Sequence, residues 1–186
     1  MTCQNRDFHL AAKWCILAKH SLFHIENAVN EGILARRLMT CMRETKDFDG
    51  FMNTYQNLGE RVKNMALTQF LLYEAAMDFS NTNLGKSMWP YLIQAKESLT
   101  TLSRCNDLQP LMLYACAKRA QDYRVREVEL LSLRLAWSII REAHKEEVRL
   151  FPFFRCIIRL LKDEDGNKND EVIESLCAMF AEGNFG

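Results

Sequence analysis

The sequence predicts an all-α fold built from stacked helical hairpins, and three observations carry that prediction. The first is the run TQFLLYEAAMDF, Thr68 to Phe79, in which only Glu74 and Asp78 are charged, four residues apart on one narrow stripe. A helix apolar over most of its circumference must be covered on several sides by other elements. The second is the placement of the prolines. All three (Pro90, Pro110 and Pro152) precede an apolar helical run, and a helix tolerates proline in its first turn, where the missing N–H has no partner to lose. The third is that no alternating strand pattern bounded by turn residues occurs.

About nine helices follow, over residues 8–29, 31–45, 48–60, 66–80, 86–103, 109–121, 124–145, 151–163 and 169–181. Ser87 and Asp107, three residues before Pro90 and Pro110, are the expected caps. Polar breaks separate the helices: Lys46-Asp47 near Gly50, Ser80-Asn81-Thr82-Asn83 with Gly85, Cys105-Asn106-Asp107, and the stretch from Asp163 to Asn169. The helices pair as short hairpins whose first members start near residues 31, 66, 109 and 151, roughly 35 to 43 residues apart. The tetratricopeptide (TPR) period is about 34 residues. The full TPR signature of Trp, Leu-Gly, Tyr, Ala, Phe and Pro is absent from every unit. The expected architecture is therefore a right-handed α-α superhelix of degenerate TPR-like hairpins. It would form one domain over residues 1–186, clearest over about 30–165, with a compact irregular bundle as the alternative.

Composition narrows the function classes. A 48% apolar and 26% charged chain of 186 residues is long and apolar enough to fold around a core. Lys plus Arg equals Asp plus Glu at 24 each, which leaves no basic footprint for a phosphate backbone and favours association over solubility. Asp7 and Lys13 interrupt what a secretory signal would need as an apolar core. No stretch reaches the roughly 18 apolar residues of a membrane span. The seven cysteines (Cys3, Cys15, Cys41, Cys105, Cys116, Cys156 and Cys177) are odd in number and contain no CxxC pair. They read as free, structural thiols of a reducing compartment, cytosol or nucleus.

Candidate chemistry is sparse. His20 and His24 share a helical face but lack a third ligand. From Asp163, the oxygen-bearing residues Asp165, Asn167, Asn169, Glu171 and Glu174 follow the spacing of an EF-hand loop. Lys168 stands where the turn glycine belongs, Gly166 comes two places early, and Asp170 occupies an ordinarily apolar place. A solvated interhelical loop is the expectation, with a calcium-responsive module as an alternative. Arg155, Arg159 and Lys162 form the polar side of an amphipathic helix opposite Phe154, Ile157, Ile158 and Leu161, and Glu146-Glu147 sits on a charged helix end. No nucleophile elbow, Walker loop or dinucleotide fingerprint occurs. The expectation is a chain that is not an enzyme, with no catalytic, cofactor or metal residue and no cofactor.

Three segments taken together resemble the meiotic TPR scaffolds of the sporulation protein/Zip-four family, whose mammalian member is a testis-expressed meiotic protein. They are FDGFMNTYQNLGERVKNMALTQFLLYEAAM (48–77), LQPLMLYACAKRAQDYRVREVELLSLRLAW (108–137) and FPFFRCIIRLLKDE (151–164). The chain is shorter than typical members, as a fragment or a divergent short relative would be. The resemblance implies a nuclear, chromosome-associated scaffold acting in meiotic recombination, crossover formation and synapsis. Its partners would be axis or crossover proteins, with no direct nucleic-acid or membrane contact and with possible self-association. The alternative is a general cytosolic helical adaptor.

Overall fold

The computed structural model describes residues 7–18, 28–82, 88–105 and 109–143. All its regular elements are α-helices: α1 Phe8–Ala18, α2 Ala28–Glu44, α3 Phe48–Gln56, α4 Glu60–Lys63, α5 Ala66–Thr82, α6 Trp89–Leu102, α7 Gln109–Asp122 and α8 Arg126–Ala143. The expected helices 151–163 and 169–181 lie outside the described residues. The chain divides into two compact units, Met1–Cys105 and Asn106–Gly186.

Three expected boundaries change. Ala28 and Val29 open α2 instead of closing the first helix. The helix expected over 48–60 ends at Gln56 and resumes as the single turn α4. The Asn57 side-chain amide donates to the Asn53 carbonyl at 2.9 Å, and Gly59 is extended, so the chain leaves the helix there. The N-cap of α6 is Met88, which makes no side-chain capping bond, and Pro90 follows in the first turn; Ser87 and Asp107 lie outside the described residues.

In the first unit α2 packs against α1, α3 and α5, and α5 packs against α6. The turn from α2 to α3 is a Schellman motif. Asp47 N–H donates to Met42 C=O at 2.8 Å and Lys46 N–H to Arg43 C=O at 3.0 Å, with Lys46 left-handed at φ 59°. Asp47 then caps α3, its carboxylate accepting from Gly50 N–H at 2.9 Å. A side chain at Gly50 would overlap that carboxylate, so this glycine is needed for the cap.

The core of this unit joins Ala35 and Met39 of α2, Phe51 of α3, Leu58, and Leu71, Leu72, Ala75 and Phe79 of α5. Phe48 stacks edge-on against Phe79 at 4.7 Å and Tyr91 at 4.9 Å, which ties α3, α5 and α6 together. As its sequence demands, α5 is buried on most sides: Tyr73, Ala75 and Met77 are fully buried and only Phe70, Glu74 and Asp78 are half-covered between Thr68 and Phe79. Buried Gln69 holds the α3–α4–α5 junction, its amide donating to Tyr55 Oη at 3.1 Å and to Lys63 C=O at 2.8 Å. The Cys105 thiol closes the far end, donating to Asn64 C=O at 3.1 Å.

In the second unit α7 and α8 form a hairpin. α7 buries Leu113, Cys116, Ala117 and Ala120, and α8 buries Val128, Glu129, Ser132, Leu133, Ala136 and Trp137. Spacings of three and four residues make each set one helical stripe.

Candidate functional site on the shared face of α2 and α5

Three neighbours around α2 leave one line of its surface open: Ile33, Arg37, Thr40 and Glu44, spaced by four, three and four residues. The open line of α5 is Leu67, Phe70, Glu74, Asp78 and Asn81. Side chains of α2 between the two lines stitch them together. Arg36 donates to Met65 Sδ at 3.4 Å and to Thr68 Oγ1 at 3.4 Å. Two turns further along, Arg43 pairs with Glu74 and also with Asp78, the latter at 3.1 Å.

Those contacts fix a direction. As α2 advances from Arg36 to Arg43, its partners on α5 advance from Thr68 to Asp78, so the two helices run parallel. α2 packs against α1 as well as α3, and α5 pairs with α6; side by side, α2 and α5 present one partly exposed face. The charged stripe of α5 is thus a rim at the helix–helix seam, with Arg43 bridging its two carboxylates at about a quarter exposure each.

The face is polarised along its length. Its beginning carries Ile33, Arg36, Arg37 and Met65, and its end carries Glu44, Glu74 and Asp78 around Arg43. Sequence reasoning did not find this site. The line Ile33, Arg37, Thr40, Glu44 was legible as a surface stripe, but its neighbour across the seam is about 30 residues away in sequence.

The sequence-derived candidates lie elsewhere. His20 and His24, Glu146 and Glu147, Arg155, Arg159 and Lys162, and the loop from Asp163 to Glu174 fall outside the described residues. Among the described residues no cluster of three metal-ligating side chains occurs, and no helix is long and apolar enough to cross a membrane. Cys15, Cys41, Cys105 and Cys116 are thiols and not disulfide sulfurs. Burial pushes the Cys41 thiol above its ordinary pKa, and the neighbouring Cys15 adds to the shift. In the second unit Glu129 is buried at 1% exposure and pairs with Arg126 at 3.3 Å, a charged core position that an amphipathic reading of α8 does not single out.

No family model, no curated protein and no solved structure matches the chain.

Proposed function

We propose that this chain is a non-enzymatic, protein-binding scaffold of degenerate TPR-like hairpins in the right-handed α-α superhelical arrangement, acting in meiotic recombination and synapsis on the chromosome. The observation that carries the binding reading is the parallel pair α2 and α5, sharing one partly exposed face. Helical repeats of this kind use such a face to hold a partner's peptide or helix. The meiotic assignment rests on the resemblance of segments 48–77, 108–137 and 151–164 to the sporulation protein/Zip-four scaffolds.

Proximity labelling from the full chain in germ cells tests the assignment. Enrichment of chromosome-axis or crossover proteins is expected. Labelling confined to cytoplasmic neighbours would replace the meiotic reading with a general cytosolic adaptor.

A further inference from the structure

At the beginning of the α2–α5 face, cationic and apolar groups converge and no carboxylate neutralises them among the described residues. Ile33 and Met65 are 41% and 39% exposed. Arg36 lies against Met65 and Thr68, both neutral acceptors, so its charge is held in place without being cancelled. Arg37 is exposed on the open line and makes no ion pair among the described residues. The floor beneath is close-packed: a side-chain carbon added at Gly32 would sit 3.1 Å from Val62 Cγ1 and 3.3 Å from Arg36 Nη1. Absence of a side chain at Gly32 lets α4 approach α2 and lets the Arg36 guanidinium lie across the junction.

Seven residues along α2 the sign reverses. Arg36 and Arg43 are about 10 Å apart by helical rise, and the three carboxylates of Glu44, Glu74 and Asp78 surround Arg43. A polyphosphate backbone laid on the face would meet those carboxylates within two or three phosphates, which disfavours nucleic acid. A short peptide of matching polarity meets no such conflict.

We propose that this end of the face docks an acidic, aliphatic peptide segment. Its carboxylates engage Arg36 and Arg37 by charge-assisted, fork-shaped hydrogen bonds, and an adjacent Leu, Ile or Met side chain packs on Ile33 and Met65. About three extended residues further, the same segment carries a basic side chain over Glu44, Glu74 and Asp78, since an extended chain spans roughly 3.3 Å per residue. The proposal rests on the protein-binding reading and gives it a partner chemistry.

A random-peptide display library selected on the full chain tests it. The selected peptides are expected to share Asp or Glu beside an aliphatic residue. Fluorescein-labelled copies should bind about tenfold or more weakly to Arg37→Glu, with the loss growing as salt is lowered. Arg37 is exposed, so the variant should melt as the parent does. Selected peptides that lack acidic residues, or that bind Arg37→Glu unchanged, would overturn the partner chemistry and leave the binding reading standing. A library that yields no binder would overturn both. An oligo-dT strand that binds the chain and displaces the peptides, with that binding also lost in Arg37→Glu, would reassign the patch to phosphate.

Discussion

The α2–α3 and α7–α8 hairpins turn in the same way and are held in different ways. In α7–α8, Val125 N–H donates to Ala120 C=O and Arg124 N–H to Gln121 C=O, each at 2.9 Å, and Arg124 is left-handed at φ 57°. That repeats the Schellman turn at Lys46 and Asp47 bond for bond. Past the turn the two diverge. α3 starts on the Asp47 side-chain cap, whereas Val125 has no side-chain oxygen and α8 sets Glu127 and Glu129 in its first turn, where carboxylates oppose the helix dipole. The first hairpin keeps its ionic cluster at a seam with α5 where the carboxylates stay about a quarter exposed. The second sinks Glu129 fully into its interior. One turn geometry thus serves two hairpins, and the difference lies in how deeply charge is buried.

Four tests break or sharpen that contrast. The largest effect is expected from Phe51→Ala, which empties a fully buried site shared by α2, α3 and α5. Denaturant unfolding should show a loss of about 3–5 kcal/mol. Next come the two ionic sites, probed by the same replacement. Arg126→Met removes the guanidinium paired with Glu129, a carboxylate at 1% exposure, and should cost about 3 kcal/mol. Arg43→Met removes the cation between Glu74 and Asp78 at a partly exposed seam and should cost about 1–2 kcal/mol. Equal losses at the two sites would erase the distinction drawn between buried and rim charge.

The shared turn makes a smaller and opposite prediction. Lys46→Gly and Arg124→Gly each relieve a left-handed L-residue and should raise stability by about 0.5–1 kcal/mol, the strain relief being offset by the greater freedom of glycine when unfolded. A gain at one site and a loss at the other would mean that the turns are not equivalent. The smallest effect concerns pH. The folded Cys41 pKa lies above the unfolded value of 9.0, so the unfolded chain sheds that proton first as pH rises. The stability from the buried neutral thiol is complete below pH 9.0 and is lost as pH rises through the folded value. Cys41→Ser should flatten the alkaline limb of the stability profile.

Much of this architecture could be read from the chain before its structure. The mostly apolar run at Phe70–Phe79 marked α5 as an inner helix, and Pro90 and Pro110 marked two helix starts, because these signals are local. The break after Gln56 was hidden because Asn57 and Gly59 interrupt a pattern that otherwise stays amphipathic. The left-handed turns were hidden because Lys46 and Arg124 occupy places that a glycine would have advertised. The α2–α5 face depends on a pairing across α3, α4 and the turns around them, and no periodicity within either helix encodes its partner. Glu129 was hidden for a related reason: its spacing fits the buried stripe of α8, but a carboxylate there reads as surface.

The central claim is that the α2–α5 face holds a protein partner, and site-specific photo-crosslinking in germ cells tests it most directly. A benzophenone side chain would replace Thr40, exposed in the middle of the face, or Gln56, exposed on α3 away from it. Discrete protein adducts are expected at Thr40, weak or absent at Gln56, and lost from Thr40 when Arg37→Glu is added. Adducts of equal yield at both positions, or adducts at Gln56 alone, would contradict the claim.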